Sequence, residues 1–212
     1  RALETGNAPG TVRPNNGTPE NCFSVSETGQ IGRYEETIDE GGLSVRTVLN
    51  WTPNDDYLFY TSLVRGYKSG SFPVFQTADH RQLKAVTQER VDAFEVGAKM
   101  DFMDRLVHVN AAAFYYLYKD KQLLSRFFDE VYGALPALAN APESEVRGVE
   151  FDITASPFEG LFFTAAAAYI EAEVTDYKNA YSTTGDEIDL SGAPFNYTPN
   201  LTYTMTAEYT AP

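Results

Sequence analysis

The chain has 212 residues, with 30 Asp plus Glu against 16 Lys plus Arg and a formal net charge of −14. A polyanion gains nothing from meeting phosphates, which argues against a nucleic-acid partner. The single cysteine, Cys22, allows no disulfide within the chain; the opening "RALETGNAPG" lacks the basic and apolar regions of a secretion signal; and no apolar run is long enough for a membrane-spanning helix. Tyr and Phe, at 14 each, suit an all-β protein with many half-exposed strands.

Residues 1–40 read as an outer loop or the end of a preceding strand, and residues 41–212 as strands in succession. Period-two alternation begins in "LSVRTVLNW", where Leu43, Val45, Thr47, Leu49 and Trp51 share one face. A tight turn is expected at residues 53–56, followed by a strand from Tyr57 toward Arg65 and a long polar connection near residues 67–88. "VDAFEVGAKMDF" then sets Phe94, Val96, Ala98, Met100 and Phe102 against Glu95, Gly97, Lys99 and Asp101. After a turn at residues 103–105, "VHVNAAAFYYLY" gives Val107, Val109, Ala111, Ala113 and Tyr115 to the apolar side. A second long connection is expected near residues 121–140. "VRGVEFDIT" opposes Val149, Phe151 and Ile153 to Glu150 and Asp152, and "SPFEG" marks a turn at residues 157–160. "LFFTAAAAY" continues into a third long connection near residues 175–194. "LTYTMTAEY" closes the series with Leu201, Tyr203, Met205, Ala207 and Tyr209 on one face. Ending at "EYTAP", the sequence reads as part of something longer.

Connections that alternate long and short fit an up-and-down antiparallel transmembrane β-barrel, with short turns in the periplasm and long loops outside. About seven strands of a larger barrel are expected here. A charge on the lipid face costs roughly 2–4 kcal/mol at the midplane. The apolar faces carry charge, at Arg90, Asp92 and Arg147, only toward the long connections. Glu95, Lys99, Glu150, Asp152 and Glu208 fall on the opposite face, which suits a wet lumen. Trp51, Tyr57, Phe102, Phe158 and Tyr209 gather near the short turns, where an interfacial girdle would sit. A soluble β-sandwich also alternates, but its connections need not alternate in length.

Four segments resemble the barrel of TonB-dependent outer-membrane receptors. "FYTSLVRGYKSGSF" is similar to their "LYASYSRGYKSGGF", departing at Ser71 and at Leu63-Val64. "VDAFEVGAKMDFMDRLVHVNAAAFYYLYKDKQL" resembles the "YEVGxK…LNxAxFYxxYxDxQ" strand pair. "VRGVEFDITASPFEGLFFTAAAAYIEAEVTDY" resembles the hairpin that follows, and "DLSG…PFNYTPNLTYTMTAEYT" the next descending strand. The resemblance implies a plugged barrel of roughly 22 strands that takes up a scarce nutrient, most often a ferric siderophore. Uptake would be driven by the TonB complex acting through a plug outside this chain. A passive channel of similar build is the alternative.

The resemblance also implies outer-membrane lipids and lipopolysaccharide as surroundings, a metal chelate as ligand, and a Gram-negative outer membrane as location. Ligand contacts in such receptors come from outer loops and lumen-facing residues. The candidates here are Arg65, Tyr67, Lys68, Phe72, Phe75, His80, Arg81, Arg126, Phe127, Phe128 and Tyr132. Aromatic faces with a few cations suit catecholate-like or carboxylate-rich chelates. Arg65 and Lys68 could equally serve the rim alone. No catalytic motif is present, and His80 and His108 are too isolated to suggest a metal site, so neither an enzyme nor a cofactor is expected. The acidic run "GDEIDLSG" reads as a solvated loop, with a surface divalent ion as the alternative.

Overall fold

The computed structural model describes residues 24–25, 31–32, 36–73, 80–129, 132–178, 180–182 and 184–211. Cys22 and Phe75 lie outside the described residues, as does the side chain of His80. In chain order the strands are β1 (Ser24–Val25), β2 (Ile31–Gly32), β3 (Val45–Asn54), β4 (Tyr57–Lys68), β5 (Glu89–Phe102), β6 (Val107–Asp129), β7 (Gly133–Ala155), β8 (Leu161–Asp176), β9 (Ala180–Tyr181), β10 (Glu187–Ile188) and β11 (Leu201–Tyr209). A 3-10 turn at His80–Leu83 interrupts the connection between β4 and β5. No helix among the described residues is long and apolar enough to cross a membrane, which says nothing of strands.

Seven strands form one antiparallel meander in the order β3, β4, β5, β6, β7, β8, β11, open at both edges. β1 with β2, and β9 with β10, form two small ribbons apart from it. Register carries the period-two pattern from strand to strand. Trp51 faces Phe59, Phe59 faces Ala98, and the row continues through Ala111, Phe151, Ala167 and Tyr203. The next row runs Leu49, Thr61, Val96, Ala113, Val149, Tyr169, Leu201. Because neighbours point alternately to opposite faces, every apolar set from the sequence lands on the same side.

That side is exposed. Tyr203 and Met205 are 81% and 72% accessible, and Leu49 is 68%. The largest fully buried side chains among the described residues are instead polar, Gln82 and Ser144. A continuous apolar face turned outward over seven strands calls for an apolar partner. Toward the tight turns it carries aromatic pairs, Trp51 stacked on Phe59 at 5.4 Å and Tyr57 edge-on to Phe102 at 5.8 Å.

The short turns close by different means. Asn54 Oδ1 accepts the Asp56 N–H at 3.0 Å between β3 and β4. Between β5 and β6, Met103, Asp104 and Arg105 all adopt positive φ, a left-handed run without a glycine. Arg105 reaches Asp56 and Asp101, each at 3.7 Å, tying this turn to the previous one. After β7 the chain turns through Gly160 (φ +87), where an added Cβ would sit 2.5 Å from the Thr210 carbonyl oxygen.

The stretch expected as a second long loop, residues 121–140, is instead hydrogen-bonded β-structure. β6 and β7 are 23 residues each and pair without a break in register sum from Val107 with Ala155 out to Asp129 with Gly133. The exception is Asp120 opposite Pro142, which has no N–H to give; there Asp120 takes φ 54 and the pair drops out. Lys119 and Lys121, two apart, consequently leave on different sides. Lys119 pairs with Glu143 at 2.6 Å on the apolar face, whereas Lys121 lies over the Tyr118 ring on the other.

Gly160→Ala and Gly133→Ala, made in this protein, separate crowding from backbone strain. Gly133 (φ +74) has open space where a Cβ would go, so only the left-handed cost applies, about 1–2 kcal/mol. Gly160→Ala should lose more stability in urea unfolding, because the Thr210 carbonyl must also move; equal losses would show that the close approach is not maintained.

Candidate functional site

The β4–β5 and β8–β11 connections lie at the end of the sheet away from the tight turns, and the β6–β7 hairpin is their common support. Residues 69–88 are zipped at the base by Ser71 and Val86, which exchange backbone hydrogen bonds of 3.1 and 3.0 Å. Glu40, just ahead of β3, accepts the Gly70 N–H at 2.8 Å and the Gln88 N–H at 2.6 Å, one on each carboxylate oxygen. Asn140 behaves as a substitute peptide group: its Oδ1 accepts the Thr87 N–H at 2.9 Å and its Nδ2 donates to the Thr87 carbonyl at 3.0 Å. Nδ2 also donates to the Asp120 carbonyl at 2.6 Å, satisfying the backbone where the ladder skips. Gln122, paired with Asn140 across the hairpin, donates to the carbonyls of Ser69 and Thr87.

Where the β8–β11 connection docks, Ala141 of β7 and Val174 of β8 are buried together with Tyr177 and Ala180, with Leu123, Ala139, Ile188, Leu190 and Phe195 packed around them. Tyr177 donates its hydroxyl to Ser125 at 3.0 Å. Gly185 (φ +93) lies flat against Phe128, where a Cβ would be 2.5 Å from the ring.

The candidate residues divide by place. Arg81, Phe127 and Tyr132 come together around buried Asp129: the Arg81 guanidinium pairs with its carboxylate and lies 4.5 Å from the centroid of the Phe127 ring, and the Tyr132 N–H donates to it at 2.9 Å. Next to them Gln82 donates to the Pro136 carbonyl at 2.9 Å. Arg126 is exposed on the hairpin, and Phe128 is 37% exposed although it packs on Gly185. Arg65 is on the apolar face, 2.5 Å from Asp92. The Tyr67 ring lies against the backbone at Gly42, and Phe72 is exposed. Lys68 is on the opposite face from Arg65, 3.9 Å from Glu89.

The polar face has its own order. Glu95 accepts the Tyr60 hydroxyl at 2.7 Å and the Tyr116 hydroxyl at 3.4 Å, and Asn110 donates to Asp152 at 2.8 Å. Gly97 pairs with Tyr60, and any Cβ there would overlap the tyrosine ring. Gly148 stands in the same relation to Phe114, with 2.7 Å to the ring. Those two glycines let aromatic rings lie flat along the wall and leave the carboxylates in the open. Phe114 stacks on Tyr116 at 4.9 Å.

Lys121 is a group that sequence reading passed over. Its Nζ sits 4.3 Å from the Tyr118 ring and 4.9 Å from the Phe195 ring, at the upper edge of the polar face. As one lysine in "YKDKQ" it carries no signal, since the side it takes depends on the conformation of Asp120. Among the described residues no group of three or more His, Cys, Asp or Glu is placed to hold a metal ion. In the acidic run, Asp186 accepts the Thr184 hydroxyl at 2.7 Å and Asp189 the Ser191 N–H at 2.8 Å. The Ser191 hydroxyl and N–H hold the Asp189 carboxyl below the usual carboxylate range.

The family model "TonB dependent receptor-like, beta-barrel" matches residues 12–212. Among solved structures, the ferric yersiniabactin uptake receptor FyuA from Yersinia pestis is similar, with TM-score 0.57 and 22% identity over 76% of this chain and 22% of that one. The FrpB iron transporter from Neisseria meningitidis (F3-3 variant) is also similar, with TM-score 0.48 and 18% identity over 78% of this chain and 23% of that one. The chain thus spans less than a quarter of the length of the structures it matches. It belongs to the TonB-dependent receptor β-barrel family, a family of receptors rather than enzymes.

Asn140→Ala should release the base of the 69–88 connection. Amide exchange at Ala85 to Gln88 is expected to quicken by about tenfold, the equivalent of one net hydrogen bond. Arg126→Ala should leave it alone, and unchanged exchange in Asn140→Ala would mean the amide does not hold the connection.

Proposed function

We propose that this chain is a section of the barrel wall and outer mouth of an energy-coupled importer in a Gram-negative outer membrane, taking up a ferric siderophore. The observation that carries the reading is the single apolar face maintained across seven strands, backed by a polar wall and capped at one end by docked connections. The apolar face meets lipid, which supplies the apolar partner that an exposed Tyr203 or Met205 requires. Its upper edge carries Arg65 with Asp92, Lys119 with Glu143 and Arg147 with Glu171, paired at 2.5, 2.6 and 2.7 Å. Paired charges of that kind suit the headgroups of outer-membrane lipids and lipopolysaccharide. The tight turns then face the periplasm, and the aromatic pairs beside them mark the inner interface.

Ligand capture falls to the outer assembly. Tyr67, Phe72, Phe75, His80, Arg126, Phe128 and Tyr132 remain candidates for contact with a chelate, with Lys68 at the inner rim; Arg65, paired with Asp92 on the apolar face, belongs with the headgroup-level ion pairs instead. Arg81 and Phe127 brace the hairpin against Asp129 and contribute by shaping the surface. Passage requires the TonB complex to act on a plug outside this chain, whose barrel-facing side would meet a wall carrying Glu95, Glu150 and Asp152.

The test uses the intact receptor in iron-limited cells, with residues 124–138 replaced by a tight turn. Binding of a panel of ferric chelates should weaken at least about tenfold for the cognate one, while heat-modifiable migration shows the barrel still folded. Uptake by wild type should vanish without the TonB complex. Unchanged affinity for every chelate would remove the siderophore assignment.

A further inference from the structure

We propose that the open edge of β6 between Leu124 and Phe128 is a strand-addition site for an extended segment of another protein, one that carries an acidic side chain between apolar ones at alternate positions. The inference goes beyond the importer reading and rests on it only for the compartment from which the partner comes. β5 pairs with β6 no further than Lys119, opposite Arg90, whereas β6 runs on to Asp129 in its ladder with β7. Two residues fix which way the backbone points along this extension. The Gln122 N–H leaves the hairpin for the Glu89 carboxylate at 2.9 Å, and Pro136, opposite Arg126, has no N–H to give. Antiparallel ladders alternate by two, so Leu124, Arg126 and Phe128 also turn their N–H and C=O groups away from β7. None of these groups meets a hydrogen-bond partner among the described residues.

The two edges of the hairpin differ. On the β7 side Pro136 removes a donor, and its carbonyl is already taken by Gln82 Nε2 at 2.9 Å. That edge is blunted, as edges kept from pairing are. The β6 edge, "LLSRFF", has no proline, and its Leu124 is 67% exposed. Its ends are defined: Glu89 caps Gln122 at the base, and the Phe128 ring lies against Gly185 at the tip. Between them about 13 Å of backbone stands open, room for about five residues of an added strand. Side chains choose the occupant. Leu124, Arg126 and Phe128 share one face, so an added strand sets three alternate side chains beside them. Arg126 is exposed and makes no ion pair among the described residues, which favours a carboxylate opposite it, flanked by apolar groups against Leu124 and Phe128. The nearby carboxylates already have partners. Glu89 stands 3.9 Å from Lys68 and from Lys121, Glu40 accepts the Gly70 and Gln88 N–H groups, and Asp129 pairs with Arg81. A second copy of the hairpin fits poorly, because two-fold pairing through this edge would set Arg126 against its own counterpart.

The probe is a fluorescein-labelled, capped heptapeptide, Ser-Val-Thr-Glu-Thr-Val-Ser, titrated by anisotropy into the full-length protein in a neutral detergent, with heat-modifiable migration confirming each variant's fold. Wild type should bind it with a Kd below about 1 mM. N-methylation of the peptide at Glu, whose N–H would face β6, should weaken binding at least about tenfold, while methylation at either Thr, whose N–H would face away, changes it less than about threefold. Lys in place of that Glu should weaken it about tenfold. R126P removes an edge donor without touching the β6–β7 ladder and should abolish binding, whereas R126K stays within about twofold. In amide exchange the bound peptide should slow Leu124, Arg126 and Phe128 and leave Ser125 and Phe127, already laddered to β7, as they were. No binding up to about 1 mM, equal affinity for the two kinds of methylated peptide, or unchanged exchange at Arg126 would each overturn the strand-addition site. A concentration-dependent dimer that R126P abolishes would overturn it too, giving the edge to a second copy. Peptide binding by a protein that takes up no ferric chelate would count against the importer reading alone.

Discussion

The molecule depends on register. Side chains alternate along a strand, so a slip of one residue in any of the six ladders would carry one strand's apolar set to the wrong face. Pairings from Leu49 through Leu201 keep the parity from strand to strand, and tight turns set it in three of the six ladders, β3–β4, β5–β6 and β7–β8. The left-handed run at Met103 to Arg105 and the close approach of Gly160 to Thr210 are local costs borne by the turns for that alignment. On the proposed reading, with the apolar face against hydrocarbon, the same ladders do a second task, since every backbone N–H and C=O must find its partner within the protein.

Given that alignment, the two faces can be built on opposite principles. The outward face is apolar and needs little detail beyond aromatic pairs near the turns and ion pairs near the connections. The inward face is detailed: Gly97 under Tyr60 and Gly148 under Phe114 lay rings along the wall, and Tyr60 and Tyr116 orient Glu95. At the end away from the tight turns, side-chain amides of Asn140 and Gln122 bond to the backbone of another connection. Such bonds tie that end together without a large apolar core.

Strands and tight turns were legible because they are written locally, as alternation and turn chemistry. The glycines of "FEVGAK" and "VRGVEF" were legible as a resemblance, and their physical reason, a ring from the neighbouring strand, needed the pairing. The long hairpin was hidden by its composition: Pro136, Pro142 and an Ala-rich strand read as a connection. Its face reversal at Asp120 comes from one opposing proline, and from it follows the position of Lys121 beside Phe195, 74 residues away by number. The Arg81–Asp129 pair and the Asn140–Thr87 bonds likewise join residues about fifty positions apart, beyond any local pattern. Of the candidate residues, those that the fold gathers, Arg81, Phe127 and Tyr132, serve one another, whereas Lys68 borders the more open chemistry.

The account stands most directly on which solvent each face meets. Spin labels placed singly at Val96 and at Glu95 of the intact receptor in lipid vesicles would measure this by their collisions with oxygen and with a water-soluble nickel complex. Oxygen should dominate at Val96 and nickel at Glu95. Equal accessibility at the two positions, or nickel dominating at Val96, would contradict a wall with lipid on one side and a polar lumen on the other.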